Sequence, residues 1–177
     1  MSHLMPVVST PVRRIAEKTI EVTPTTPDER DQIVQIAAET GVFSAHELET
    51  VAELLGDYYR DAETSGYHFL THREGERVLG FAAWGPRDLS GKGYDLYWIA
   101  TRPEAQRHGV ARALLAAIEE RVRERRGYWV WIETSDTPPY AAARGLYERC
   151  GYRPALTLPD FYKDGDGLVV YIKRVSG

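Results

Sequence analysis

The residues from Gln106 to Ala111 form a loop between an apolar run that ends near Ala100 and a helical pattern that begins near Gly109. The first N–H groups of a helix have no partner within it and lie at the positive end of its dipole, so such a turn attracts anions. Gly109 and Ala111 carry almost no side chain, which lets a phosphate approach the backbone. The basic residues around the turn are Arg107, His108 and Arg112. The loop therefore predicts a site for a phosphorylated cofactor.

Two acidic residues close to this loop in sequence are candidates for proton transfer. Asp95 is the only charged residue in the apolar run from Tyr94 to Ala100, and a buried carboxylate usually has a partner or a shifted pKa. We therefore consider Asp95 a candidate general base; the alternative is a carboxylate that faces solvent or pairs with an arginine. Glu133, at the end of the next apolar run, is the second candidate, and an ordinary charge at a strand end is its alternative.

These side chains need a scaffold of strands and helices to hold them. Alternating or continuous apolar runs predict strands at residues 18–22, 67–71, 78–84, 94–100, 128–132 and 168–173. Apolar residues at helical spacing predict helices at residues 31–40, from 44 through 55, at 110–126 and at 140–149. The strand, helix and strand from 94 to 132 predict a parallel pair, because a crossover connection is needed to join parallel strands. The pattern indicates a mixed α/β protein.

Length and composition fit one globular domain. The 177 residues are 43% hydrophobic and 27% charged, and we expect an N-terminal tail at residues 1–17 and a single domain at 18–177. A net charge of −4 argues against non-specific binding to nucleic acid or to anionic membranes. The only cysteine is Cys150, which excludes an intrachain disulfide, and no long apolar run indicates a signal peptide or a membrane span. We expect a cytoplasmic protein.

Three other patterns carry little functional weight. The Gly-Lys-Gly near residue 92 lacks the spacing and the hydroxyl of a phosphate-binding P-loop. His68 and His72 are four residues apart, but on a strand this spacing does not present two nitrogens to one metal ion, so we expect no metal site. Cys150 has no neighbouring histidine or aspartate pattern that would make it a nucleophile.

Two ordered motifs resemble the GCN5-related N-acetyltransferase (GNAT) family. The family's loop has Gln or Arg, two residues, Gly, one residue, then Gly or Ala, and Gln106, Gly109 and Ala111 fill this pattern. Downstream, the segment from Tyr140 to Tyr152 is similar to the family's later helix, with its Leu-Tyr-Glu followed by Gly and an aromatic residue. Many members have Gly at the position of Arg107 and Asn at that of Tyr140, so the side-chain contacts of those two residues are not carried over.

The resemblance implies a fold and a cofactor. The fold is a central twisted mixed sheet of six to seven strands with about four helices, in which the parallel pair splays around acyl-CoA. The cofactor is acetyl-CoA, without a metal. The residues expected to bind acetyl-CoA are Ile99, Ala100, Thr101, Gln106, Arg107, His108, Gly109, Val110, Ala111, Arg112, Ala143 and Tyr147.

The resemblance also implies a reaction. Tyr147 takes the place of a tyrosine near the cofactor sulfur that protonates the departing thiolate; packing on an apolar helix face is the alternative. Phe161, Tyr162 and Ser135 are expected to contact the substrate; the alternatives are that the aromatic pair closes the core and that Ser135 forms a Ser/Thr turn. The expected function is acetyl transfer to a primary amine of a small molecule. The alternatives are a peptide N-terminal acetyltransferase and a non-catalytic acyl-CoA-binding module. In each case we expect the protein to be a monomer or a homodimer.

Overall fold

The computed structural model describes residues 20–176. Its helices are α1 (Arg30–Glu39), α2 (Ala45–Arg60), α3 (Ala62–Ser65), α4 (Val110–Glu124) and α5 (Ala141–Arg149). Its strands are β1 (Thr23–Pro24), β2 (His68–Glu74), β3 (Arg77–Pro86), β4 (Gly93–Thr101), β5 (Trp129–Ser135), β6 (Arg153–Lys163) and β7 (Asp166–Arg174). The strands form one sheet in the order β1-β2-β3-β4-β5-β7-β6. The predicted mixed α/β fold is confirmed.

The sheet is antiparallel except between β4 and β5. These two strands pair in parallel from Gly93–Trp129 to Leu96–Ile132, and the register stops there although β4 continues to Thr101. The β3–β4 ladder is also irregular, since Trp84 pairs with Leu96 while Ala83 pairs with Trp98. Beyond Leu96, therefore, β4 is bonded on its β3 side and separates from β5 on the other. This is the predicted splay.

Helices cover the sheet on two faces because successive strand residues point to opposite sides. On one face, α1 and α2 pack their apolar stripes on β2 and β3, in a core that includes Ile33, Val51, Phe69 and Phe81. On the other face, α4 and α5 form a second core that includes Leu114, Ile118, Val130 and Tyr147. The amphipathic patterns of the sequence therefore mark the buried faces correctly.

The first turn of α4 lies directly on β3. A Cβ at Gly80 would stand 2.9 Å from the Val110 side chain and 3.1 Å from the Ala100 carbonyl oxygen, so only glycine allows this approach. Gly109, just before the helix, has a φ of +88°, a left-handed conformation that glycine adopts without strain. Both glycines thus fix the start of α4 against the sheet.

Three local predictions need correction. The first strand was predicted at 18–22, but the structure places β1 at Thr23–Pro24; residues 18 and 19 lie outside the described part, and a proline is tolerated on this edge strand. The short helix α3 was not predicted. The family resemblance implies a loop at residues 159–168, around Phe161 and Tyr162, yet residues 159–163 belong to β6, which the sequence did not reveal because all its residues are exposed and show no burial pattern.

A buried carboxylate joins the N-terminal segment to the sheet. The side chain of Glu29 is 3% exposed; it pairs with Arg73 at 2.8 Å and accepts hydrogen bonds from the Thr25 and Thr71 hydroxyls and the Thr26 N–H. Burial on its own raises the pKa of Glu29, but the ion pair and hydrogen bonds outweigh it, and the pKa lies below its ordinary value of 4.5.

This depressed pKa predicts an acid-sensitive contribution to stability. The contribution is fully present above the pKa of the unfolded chain and is lost as pH falls through the lower pKa of the folded state. We expect Glu29→Gln to lower the free energy of unfolding by about 2 kcal/mol at neutral pH. The free energy of unfolding of this variant should also decrease less than that of the parent as the pH falls. Urea unfolding between pH 3 and 7 measures both. Glu53→Gln, at an exposed site on α2, is the control, and identical pH curves for Glu29→Gln and the parent would refute the prediction.

Candidate active site

A cleft opens where β4 and β5 separate. Its volume is about 450 Å³, and the α4 loop, the distal half of β4 and the first turns of α5 line it. Ten of the predicted cofactor residues lie along it: Ile99, Ala100, Thr101, Gln106, Arg107, Gly109, Val110, Ala111, Arg112 and Ala143. Residues that the sequence did not single out complete its walls: Thr40, Val42, Ala105, Pro139, Ala142, Leu146 and Arg149.

One end of the cleft suits a pyrophosphate. The first turn of α4 leaves its N–H groups without acceptors in the helix, since the Ala113 N–H makes the first helical bond, to the Gly109 carbonyl. The arginines at this end are Arg107, Arg112 and Arg149. Small residues such as Ala111, Ala142 and Ala143 leave room along the walls for a long and narrow ligand. These donors and this shape fit coenzyme A.

Two of the predicted cofactor residues do not line this cleft. His108 lies on the other side of the loop, where it lines a second cavity of about 940 Å³ together with His72 and Arg77. Tyr147 lies behind the cleft wall in the core formed by α4 and α5. Contact of either residue with the cofactor stays a prediction.

Arg107 has a backbone conformation that suits glycine better. Its φ is +60°, in the left-handed region, at the position where many GNAT members have glycine. The resulting strain is of order 1 kcal/mol. The side chain lines the cleft and is exposed, so the arginine adds positive charge at the phosphate end.

Arg107→Gly is therefore expected to have opposite effects on stability and on binding. Relief of the left-handed strain should raise the free energy of unfolding by about 0.5–1 kcal/mol, while loss of one charge should weaken acetyl-CoA binding by roughly threefold to tenfold. Urea denaturation and calorimetric titration measure the two effects. Leu89→Gly is the matched control, because Leu89 has a φ of +61° and lies outside the cleft; it should stabilise without changing affinity. Unaltered acetyl-CoA affinity in Arg107→Gly would count against a role of the side chain.

Asp95 and Glu133 meet at a shared arginine. Asp95 pairs with Arg87 at 2.5 Å, and the Arg87 guanidinium contacts Glu133 Oε1 at 3.3 and 3.4 Å. The Asp95 side chain is 18% exposed and that of Glu133 is 45% exposed. Burial raises the pKa of Asp95, and the guanidinium only partly opposes this. The arginine partner considered for Asp95 from the sequence is thus present, and the more accessible carboxylate is Glu133.

Tyr147 lies in an aromatic cluster. Its ring centroid is 5.7 Å from that of Tyr171 and 6.3 Å from that of Tyr152, and the residue is 5% exposed. Burial raises the pKa of the Tyr147 phenol well above its ordinary value, so the hydroxyl carries its proton at neutral pH. It forms no hydrogen bond with a described residue. The phenol is therefore a potential proton donor rather than a base.

Tyr140 bridges the two walls of the cleft. Its hydroxyl donates to the Val42 carbonyl at 3.3 Å and so links the start of α5 to the connection between α1 and α2. Family members with asparagine at this position lack a side chain of this length. The departure from the family pattern thus has a local structural role.

The predicted substrate residues differ in their surroundings. Phe161 and Tyr162 are about half exposed and pack edge to face, with ring centroids 5.0 Å apart. They lie in an irregular part of β6, because Leu158 pairs with Leu168 and Lys163 with Asp166, which leaves four residues opposite one. Ser135 is buried; its hydroxyl accepts from the Thr137 N–H at 3.0 Å and donates to Asp166 at 2.6 Å. This is the Ser/Thr turn given as the alternative, and substrate contact by Ser135 stays a prediction.

The described residues hold no other evident centre. Among residues 20–176 no group of three or more histidine, cysteine, aspartate or glutamate side chains is arranged to hold a metal ion. His68 stacks on Trp84, with ring centroids 4.8 Å apart, and the His72 Nδ1 lies 2.7 Å from the Glu21 carbonyl oxygen. In the same part of the chain, no helix has the length and apolarity that a membrane crossing requires.

Comparisons with known proteins agree with this geometry. A model of the acetyltransferase (GNAT) family matches residues 31–152. The [ribosomal protein bS18]-alanine N-acetyltransferase of Escherichia coli K12 is 31% identical over 102 residues, which are 53% of this chain and 68% of that protein. The crystal structure of a GNAT-family protein from Desulfovibrio desulfuricans superposes with a TM-score of 0.85 at 32% identity, over 89% of this chain and all of that one.

A more distant structure shares the fold. An aminoglycoside 6′-N-acetyltransferase, solved in complex with coenzyme A, superposes with a TM-score of 0.71 at 14% identity, over 89% of this chain and 98% of that one. The family match spans the loop from Gln106 to Ala111, the parallel strands β4 and β5, and helix α5 with Tyr147. The chain belongs to the GNAT family and is an acetyl-CoA-dependent N-acetyltransferase.

Proposed function

We propose that the enzyme acetylates a primary amine of a small molecule by direct attack, with Glu133 as the general base and Tyr147 as the general acid. The observation that carries this proposal is the accessible carboxylate of Glu133, one residue beyond the last β4–β5 pair, where the two strands separate. Acetyl-CoA supplies an activated acyl group as a thioester.

The charges near the point where β4 and β5 separate favour a cationic acceptor. The acidic side chains there are Asp95, Glu133 and Asp166; the Arg87 guanidinium pairs with the first two, and the Arg144 guanidinium donates to the Ser135 and Thr137 carbonyls near the third. An ammonium group held there must lose a proton before its nitrogen can attack a carbonyl, and in this proposal Glu133 accepts that proton. The Tyr147 hydroxyl carries a proton at neutral pH and, in this proposal, releases it to the departing thiolate. Asp95, tightly paired with Arg87, is assigned a supporting role.

A peptide N-terminus is the second candidate acceptor. The exposed pair Phe161 and Tyr162 offers an apolar surface to a polypeptide segment that carries the amine. The name of the Escherichia coli relative also specifies the alanine of a ribosomal protein as its acceptor. A direct comparison of the two acceptor classes is therefore needed. A cytoplasmic location remains a prediction from the sequence.

A thiol-release assay with two acceptor panels tests the proposal. One panel holds amino acids, polyamines and an aminoglycoside; the other holds short peptides that differ at their first residue. Turnover confined to the small amines supports the proposal, and turnover confined to the peptides replaces it with the second candidate. Acetyl-CoA binding by calorimetry without thiol release in either panel would instead indicate a non-catalytic acyl-CoA-binding module.

A further inference from the structure

Arg87 lies between the two carboxylates of the candidate active site. It is the first residue after β3, and its guanidinium reaches Asp95 on β4 and Glu133 on β5. These strands separate after Leu96 and Ile132, so the arginine joins them at the point where their own hydrogen bonds end. The sequence analysis considered an arginine partner for Asp95 but did not identify it as Arg87 or connect it to Glu133.

Arg87 is held by one backbone contact and by two contacts of its guanidinium. The Arg87 backbone N–H donates to the Gly93 carbonyl at 2.9 Å, which closes the β3–β4 turn. The guanidinium carbon lies 4.6 Å from the centroid of the Trp131 ring, within the range of a cation–π contact. Asp95 fixes one nitrogen through the 2.5 Å ion pair. The two terminal nitrogens of the guanidinium also contact Glu133.

Only one oxygen of Glu133 is used by the arginine. Both guanidinium contacts reach Oε1, and Oε2 forms no hydrogen bond with a described residue. We propose that Arg87 is a positioning residue that fixes Oε1 of Glu133 so that Oε2 faces the incoming amine. This inference rests on the proposed function, in which Glu133 accepts the proton.

Asp95 acts in this arrangement as the anchor of the arginine. Its other charged neighbours are Glu133 and Asp88, which both disfavour its ionised form. The Arg87 guanidinium is therefore the group that favours the ionised form, and its removal should raise the pKa of Asp95 further. The pKa of Asp95 can therefore report the loss of Arg87 without a measurement of turnover.

A double-mutant cycle tests whether Arg87 acts through Glu133. We expect Arg87→Met to lower kcat by roughly 30-fold with the KM for acetyl-CoA unchanged, because the arginine does not line the cofactor cleft. If the arginine acts through Glu133, Arg87→Met should have no additional effect on an enzyme that already carries Glu133→Gln. Losses that multiply in the double variant would overturn the proposal.

Two further measurements separate positioning from simple stabilisation. Guanidinium added at low millimolar concentration should restore part of the kcat of Arg87→Met. This concentration is far below the molar range in which guanidinium unfolds proteins. Titration by ¹³C NMR should show a higher pKa for the Asp95 carboxyl in Arg87→Met than in the parent. Arg87→Lys keeps the positive charge but lacks the planar guanidinium with its several N–H donors. It should therefore retain more activity than Arg87→Met. Arg60→Met, which removes an exposed arginine paired with Asp57 on α2, is the control and should leave kcat unchanged.

The outcomes also separate this inference from the proposed function. Parental activity in Glu133→Gln would overturn both the base assignment and the role of Arg87. A slow Glu133→Gln enzyme together with parental activity in Arg87→Met would overturn only the role of Arg87. If Arg87→Met is poorly folded, the Arg87→Lys variant decides: a parental kcat in a folded Arg87→Lys enzyme contradicts the need for a planar guanidinium.

Discussion

Tyr147→Phe is expected to lower kcat by about 100-fold, the usual scale of a lost general acid. Acetyl-CoA affinity should stay near that of the parent, because the ring remains in the aromatic cluster with Tyr152 and Tyr171. Stability should not fall either, since the hydroxyl forms no hydrogen bond with a described residue and its deletion leaves no partner unsatisfied. A large loss of turnover at unchanged stability is the signature of a residue retained for its chemistry.

Steady-state thiol release, calorimetry with acetyl-CoA and thermal denaturation provide the three measurements. Tyr171→Phe is a suitable control, because it removes a hydroxyl from the same cluster, one that donates to Glu148 at 2.8 Å. The control should lose some stability and keep its kcat. Turnover of Tyr147→Phe within about threefold of the parent, with intact acetyl-CoA binding, would exclude the general acid role.

Glu133→Gln is expected to lower kcat by roughly 100-fold to 1000-fold, within the range of a lost general base. The amide has nearly the same shape as the carboxylate but cannot accept the amine proton. Because Glu133 is about half exposed, the change should leave the fold intact. The KM for acetyl-CoA should also change little, since Glu133 does not line the cofactor cleft.

Comparison with Asp95→Asn shows which carboxylate is the base. In the proposed arrangement Asp95 acts through the arginine, so its amide variant should lose less activity than Glu133→Gln. Glu76→Gln, at an exposed turn between β2 and β3, controls for the loss of one negative charge. A larger loss in Asp95→Asn than in Glu133→Gln would reverse the two assignments.

The features that the sequence predicted well depend on local patterns. The phosphate site predicted at Gln106 to Ala111 requires only a glycine, small neighbouring residues and the start of a helix. All of these lie within a few residues of Gly109. The parallel pair follows from a strand, helix and strand of ordinary length. Ten of the residues that line the cleft were therefore marked by the sequence, although their contact with the cofactor stays a prediction.

The features that the sequence did not reveal depend on register or on exposure. Arg87 reaches Glu133, 46 positions along the chain, only because three strands align in one register. Its only signal in the sequence was a lone arginine in the turn before Asp95. Strand β6 showed no burial pattern because every residue is exposed. The Tyr140 bridge depends on a loop between α1 and α2 that no motif marks.

The early end of the β4–β5 pairing also bears on solubility. From Tyr97 to Thr101, β4 presents on one side a row of backbone groups that no neighbouring strand pairs with, in the middle of the sheet. Unpaired strand edges favour contacts between chains that lead to aggregation. Here Ile99, Ala100 and Thr101 of this edge line the cleft together with residues of α4 and α5. We therefore expect the helices beside this edge to limit its contact with other chains while a slender cofactor can still reach it.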